Sequence, residues 1–174
     1  MDKIETEFDI KIKDNFLNQK DFNIIKSIAK NTVFGSDDIA YTKKSGHVFF
    51  TSDAPKEVVD ILYKNVSNFF KIKILNINLC KYTMVAKSDF AQVHNDVSEQ
   101  TNFQSIFYIE GNQDMHCGTG FYIKNKDKYD LNSHIGFRPN RIVTWDANVY
   151  HAPLSFVDSF TKRISLITQY KIEY

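Results

Sequence analysis

At residue 71 the hydrophobic period of this chain changes, and that change restricts the folds open to it. Ahead of it, "NQKDFNIIKSIAKNTVF" (18–34) places Phe22, Ile25, Ile28, Ala29 and Val33 on one helical face. "SDAPKEVVDILYKNVSNFF" (52–70) predicts a second helix, with Ser52 or Asp53 as its cap and Pro55 in its first turn. Val58, Ile61, Leu62, Val66 and Phe69 form its apolar stripe. From residue 71 onward "KIKILNINLCKYTMV", "FQSIFYI", "TGFYI", "RIVTW" and "RISLITQY" alternate with period two, and turn residues separate them. A short strand at "FDIKI" (8–12) precedes the first helix. Two helices followed by six to eight short strands predict an α+β chain with helices buttressing one face of a mostly antiparallel sheet. A jelly-roll barrel suits this order, because it hides strand edges and offers an interior site.

Composition narrows the range of functions. A chain of 174 residues is expected to form one domain, with helical support at 15–70 and a barrel at 71–172. Hydrophobic content of 43%, with 14% aromatics, supplies a packed core. The net charge is +1, and no stretch holds five or six like charges. The short run "YTKKSG" reads as a solvated loop, so no nucleic-acid or membrane partner is expected. The N-terminus has no signal-peptide core, and nothing reaches membrane-spanning length. Cys80 and Cys117 lie in separate segments and are expected to be free thiols. Abundant Lys, Asn, Ile, Phe and Tyr suggest an A/T-rich genome, hence a cytoplasmic protein of a bacterium or of a phage in a bacterial host.

The motif with chemical content is "HND" at 94–96. Residues i and i+2 share one face of a strand, whereas on a helix they diverge by about 200°. "DFAQVHND" follows a strand-patterned run and has no helical stripe, so His94 and Asp96 are placed on one inner wall. With only five histidines an H-x-D pair still arises readily by chance, and its context decides. "RIVTWDANVYHAPL" offers His151 as a third ligand from another strand. Two histidines and one carboxylate on one face leave three positions open, which suits non-haem Fe(II). In "RISLITQY", alternation puts Arg163, Ser165, Ile167 and Gln169 on one face and Ile164, Leu166, Thr168 and Tyr170 on the other. A buried arginine beside a serine calls for an anion, and the planar guanidinium fork fits a carboxylate. The plain alternative is a rim arginine pairing with Asp146 or Asp158.

Taken in order, "HND" (94–96), "IFYIEGN" (106–112), "CGTGFYI" (117–123), "FRPNRIVTWDANVYH" (137–151) and "RIS" (163–165) resemble the Fe(II)/2-oxoglutarate-dependent oxygenases. The prolyl 4-hydroxylase-like branch is the nearest in pattern, and the resemblance runs over about residues 75–172. It implies a double-stranded β-helix (jelly-roll) and a dioxygenase that hydroxylates a C–H bond, with release of succinate and carbon dioxide. It also implies Fe(II) held by His94, Asp96 and His151, with 2-oxoglutarate and O2 as co-substrates and ascorbate as a candidate reductant. Carried over by position, Arg163 would bind the far carboxylate of 2-oxoglutarate and Tyr108 would add a hydroxyl. Tyr82, twelve residues ahead of His94, and Ser165 are further candidates for that contact. Two departures stand out: the 12-residue step from His151 to Arg163 is long, so "APLSFVDSFTK" must form an excursion, and arginine stands where collagen-type enzymes carry lysine.

The substrate expected from the resemblance is a peptidyl proline, with a free amino acid or small metabolite as the alternative. Substrate would enter at a rim formed by the 35–52 and 124–134 loops. A cupin-like metal enzyme would keep the three ligands without needing Arg163, and a silent binding barrel would need neither. Gly118 and Gly120 allow either a close backbone approach or a bulge. His47, His116 and His134 are read as surface residues, and Trp145, Tyr150, Phe121 and Tyr122 as core or pocket wall. The sequence leaves the oligomeric state open.

Overall fold

The computed structural model describes residues 8–35, 47–88, 92–111, 113, 115–155 and 163–173. Strand β1 (Lys11–Lys13) leads into helix α1 (Gln19–Asn31), strand β2 (His47–Asp53) and helix α2 (Lys56–Phe70). Seven strands follow: β3 (Lys73–Ser88), β4 (Phe103–Glu110), β5 (Cys117–Asn125), β6 (Lys128–Gly136), β7 (Arg141–Asp146), β8 (Tyr150–Ser155) and β9 (Arg163–Glu173). They form a six-stranded sheet in the order β1-β7-β4-β9-β3-β2 and a three-stranded sheet in the order β6-β5-β8. Every pairing is antiparallel, giving a jelly-roll-like arrangement with two helices.

Helix α1 begins where Asn18 closes its first turn. The Asn18 side-chain oxygen accepts from the Asp21 amide at 3.0 Å, and its Nδ2 donates to the Asp21 carboxylate at 2.8 Å. Phe22, Ile25 and Ala29 are buried as the stripe predicts. Val33 is not: the helix stops at Asn31, so Val33 leaves the face and is 89% exposed. In α2, Val58, Leu62 and Val66 are buried, but Phe69 is 48% exposed at the last turn. The expected side-chain cap from Ser52 or Asp53 is absent, because both belong to β2 and Pro55 occupies the cap position.

The large sheet is apolar on both faces, with opposite residue parities serving two cores. Phe103, Phe107 and Ile109 of β4, Ile142 of β7, and Ile164, Leu166, Tyr170 and Ile172 of β9 pack on the helices. Ile106, Tyr108, Val143 and Trp145 face the other way and meet Phe121, Phe137 and Val149 between the sheets. Each such side chain contributes about 1.5–3 kcal/mol through burial. The β9 faces therefore fall as alternation predicts.

Two expected loops differ. Residues 36–46 lie outside the described residues, but 47–53 form β2 on the edge of the large sheet, inside the region expected to be helical support. The 124–134 segment is a hairpin: β5 and β6 pair to Asn125↔Lys128 around a two-residue turn with Lys126 at φ 55°. The excursion after His151 is in strand β8 to Ser155, and 156–162, with Asp158, lie outside the described residues.

Candidate metal centre

The H-x-D segment lies along the free edge of β8. The His94 amide donates to the His151 carbonyl at 3.1 Å, the His151 amide donates to the His94 carbonyl at 2.8 Å, and the Asp96 amide donates to Ala147 at 3.0 Å. His94 and His151 are thus a hydrogen-bonded antiparallel pair, and such partners point to the same side of a sheet. Asp96 follows on an irregular segment, held by its own tie to Ala147, and its carboxylate comes to the same side.

The side chains converge. His151 Nε2 is 3.3 Å and His94 Nε2 3.9 Å from Asp96 Oδ2, and ligand atoms of the three lie within 4.8 Å of one another. Donors held about 2.1 Å from one ion at right angles sit about 3 Å apart, so a modest contraction completes a facial triad. Both rings are also turned for it. His94 Nδ1 lies 2.8 Å from the Gln92 carbonyl and His151 Nδ1 3.1 Å from the Val149 carbonyl. A carbonyl accepts only, so each Nδ1 donates outward and Nε2 is the ring nitrogen turned inward, toward Asp96. Burial, then the neighbouring His151, holds His94 below the ordinary histidine range. Burial alone would raise the Asp96 carboxyl, but the hydrogen bond from His151 and the charges of both histidines, with Gln104, bring it below the usual carboxylate range. The donor set is one carboxylate and two imidazoles, which fits Fe(II).

Deeper between the sheets, Arg163 and Ser165 are buried at the start of β9. Arg163 crosses to the small sheet, where Nη1 donates to the Gly118 carbonyl at 2.7 Å. Gly118 permits this crowding: a Cβ there would stand 2.0 Å from the Ile135 carbonyl oxygen of β6. Tyr108 pairs with Ser165 in register, and its hydroxyl lies 2.7 Å from Thr119 Oγ1. Burial pushes the Tyr108 hydroxyl up, and the nearby Arg163 charge pulls it back. Burial likewise lowers Arg163 from its ordinary value.

Tyr82 requires a correction. Its hydroxyl donates to the Ile25 carbonyl of α1 at 3.2 Å, and the ring lies in the helix-side core opposite Leu166. It faces away from the side that carries Arg163 and Ser165, so it has no place among the co-substrate contacts. His134 is half-buried rather than a surface residue, whereas His116 is exposed. His47 stands in β2.

Gln104 and Thr119 were not singled out from the sequence. Gln104 is fully buried on the inner face of β4. With its amide turned to satisfy both neighbours, Nε2 donates to Asp96 Oδ2 at 2.8 Å and Oε1 accepts from Trp145 Nε1 at 2.6 Å. Its parity within "FQSIFYI", shared with Tyr108, was the available signal.

No family model and no curated protein sequence matches the chain. Solved structures do. A prolyl hydroxylase from Trichoplax adhaerens, in complex with a hypoxia inducible factor oxygen degradation domain peptide fragment, superposes with a TM-score of 0.63 at 14% identity, covering 92% of this chain and 82% of that one. A Pseudomonas putida prolyl-4-hydroxylase gives 0.60 at 10% identity, covering 95% and 93%. HygX from Streptomyces hygroscopicus, with nickel, 2-oxoglutarate and hygromycin B bound, gives 0.64 at 10% identity, covering 94% and 82%. In fold, this chain groups with the prolyl hydroxylases and the other 2OG-Fe(II) oxygenases.

Proposed function

We propose that this chain is an Fe(II)- and 2-oxoglutarate-dependent dioxygenase built on a double-stranded β-helix, hydroxylating a C–H bond with release of succinate and carbon dioxide. The observation that carries this reading is the convergence of two correctly turned imidazoles and one carboxylate, with a buried arginine beyond them. His94, Asp96 and His151 would hold the metal; bound there with 2-oxoglutarate, it supplies the activation of O2.

The chain's own residues bind, orient and exclude water. The Gln92 and Val149 carbonyls fix the two ligating rings. Arg163 supplies a permanent buried positive charge for the far carboxylate of 2-oxoglutarate. Tyr108 and Ser165 add hydroxyls beside it, and Thr119 holds the Tyr108 hydroxyl in place. On β4, Gln104 (touching Asp96) and Tyr108 stand on one face four residues apart, about 13 Å of strand. Phe121, Trp145 and Val149 line the interior and keep it dry.

The substrate we favour is a peptidyl proline, supported by the likeness in fold to two prolyl hydroxylases, one of them holding a peptide. The likeness to HygX with hygromycin B bound favours a small molecule as the second reading. The test is to incubate the protein with Fe(II), 2-oxoglutarate and a library of proline-containing peptides, and to look by mass spectrometry for one added oxygen on proline. Succinate release stimulated by small molecules but by no peptide would select the second reading.

A further inference from the structure

Gln104 is an amide buried without any exposure in a strand whose other inward residues, Ile106 and Tyr108, belong to the core between the sheets. Burying an amide there is costly unless its oxygen and nitrogen both find partners. An indole nitrogen can only donate, and a carboxylate can only accept. Gln104 stands between one of each, so its orientation is fixed: Oε1 takes the Trp145 N–H at 2.6 Å and Nε2 gives a hydrogen to Asp96 Oδ2 at 2.8 Å. The register places Gln104 opposite Trp145 on β7, and the Trp145 ring lies 5.1 Å from the His151 ring. One amide thus joins the core to two of the three donors.

The oxygen that Gln104 touches is the one nearest both histidines, since His151 Nε2 and His94 Nε2 are 3.3 Å and 3.9 Å from the same Asp96 Oδ2. Asp96 itself sits on an irregular segment tied to Ala147 by its backbone. Its carboxylate would otherwise rotate about the side chain and present either or both oxygens. A hydrogen bond to Oδ2 occupies one lone pair and leaves the other directed at the space between the histidines.

We infer that Gln104 is a positioning residue for the metal centre: anchored by Trp145, it holds Asp96 as a single-oxygen ligand and keeps the remaining coordination positions open. The inference rests on the metal-binding reading above. A partner of this kind changes metal affinity by about 10- to 100-fold.

The test uses the full chain loaded with Co(II), whose visible bands report ligand geometry. Gln104→Met keeps the volume and removes both hydrogen bonds; Trp145→Phe removes the indole N–H that anchors Gln104 while keeping an aromatic ring beside His151. Near-ultraviolet circular dichroism and thermal unfolding establish that each variant is folded. We expect Gln104→Met to weaken Co(II) binding at least tenfold with altered visible bands, and Trp145→Phe to weaken it severalfold. The double variant should be no weaker than Gln104→Met, because the anchor acts through the amide. Should Gln104→Met not fold, Trp145→Phe decides alone, and unchanged affinity and bands in it overturn the inference. A folded Gln104→Met with wild-type affinity and bands, or strictly additive losses in the double variant, overturns it equally. Failure of the wild-type chain to bind Co(II) overturns the metal reading itself, and Gln104's role with it.

Discussion

His94 and His151 hold each other in register through two reciprocal backbone hydrogen bonds, 3.1 Å and 2.8 Å long, and their rings stand 4.6 Å apart. The placement of the two imidazoles is therefore a property of strand pairing. Inserting one alanine between Asn95 and Asp96 should break the tie of Asp96 to Ala147 and carry the carboxylate away from the two imidazoles. We expect that variant to keep its thermal unfolding within a few degrees of the parent and to lose at least 100-fold in Mn(II) affinity, measured by calorimetric titration. Retained affinity would show that Asp96 does not ligate from this face.

Arg163 and Tyr108 should differ in their effect on the co-substrate. A charge-assisted contact to a carboxylate is worth about 1.5–3 kcal/mol, so Arg163→Ala should raise the 2-oxoglutarate dissociation constant at least tenfold in Mn(II)-loaded protein. Tyr108→Phe should cost about 1 kcal/mol, the worth of one hydroxyl. Equal losses in the two variants would argue against a carboxylate at Arg163.

Tyr82 tests the assignment of faces. Its hydroxyl reaches the Ile25 carbonyl, so Tyr82→Phe should lower stability to urea by about 1 kcal/mol and leave 2-oxoglutarate affinity unchanged. A tenfold loss of 2-oxoglutarate affinity at unchanged stability would place the ring on the other face.

Asp14 joins the segment after β1 to β7. Its carboxylate accepts from Arg141 Nε at 2.5 Å and Nη2 at 2.9 Å, and from Arg138 Nη1 at 3.0 Å. The Arg141 hydrogen bond holds its pKa below the ordinary 3.8. A carboxyl whose folded value is depressed stabilises fully above its unfolded value and loses that stabilisation as pH falls through the folded one. Asp14→Asn should then cost about 1 kcal/mol at neutral pH, allowing for the water that reaches this carboxylate. The gap between variant and parent should close below pH 3.8, as followed by urea unfolding across an acid series. A gap independent of pH would remove the charge from the explanation.

Strand alternation made much of this molecule legible. It assigned the two faces of β9 and put Arg163 and Ser165 inside, because β9 runs without a register shift against β4 until its first residues. Helical spacing identified Phe22, Ile25, Ala29, Val58, Leu62 and Val66, whose burial follows from period alone. Tyr82 was not legible in that way. Its candidacy rested on its position ahead of His94 in the resemblance, whereas in the sheet it stands opposite Leu166, on the face that packs against the helices. Val33 misled because the turn that would have kept it on the helix face ends two residues earlier. Gln104 and Thr119 matter through partners on other strands, Trp145 and Asp96 for one and Tyr108 for the other, and such pairings appear only when the sheets close.

The measurement that bears most directly on the central claim is calorimetric titration of 2-oxoglutarate into the chain with and without Mn(II), repeated with Asp96→Ala. The account predicts one 2-oxoglutarate bound per chain when the metal is present, little binding without it, and loss of both metal and co-substrate binding in Asp96→Ala. Metal-loaded wild-type protein that binds no 2-oxoglutarate, or Asp96→Ala that binds both as the parent does, would contradict it.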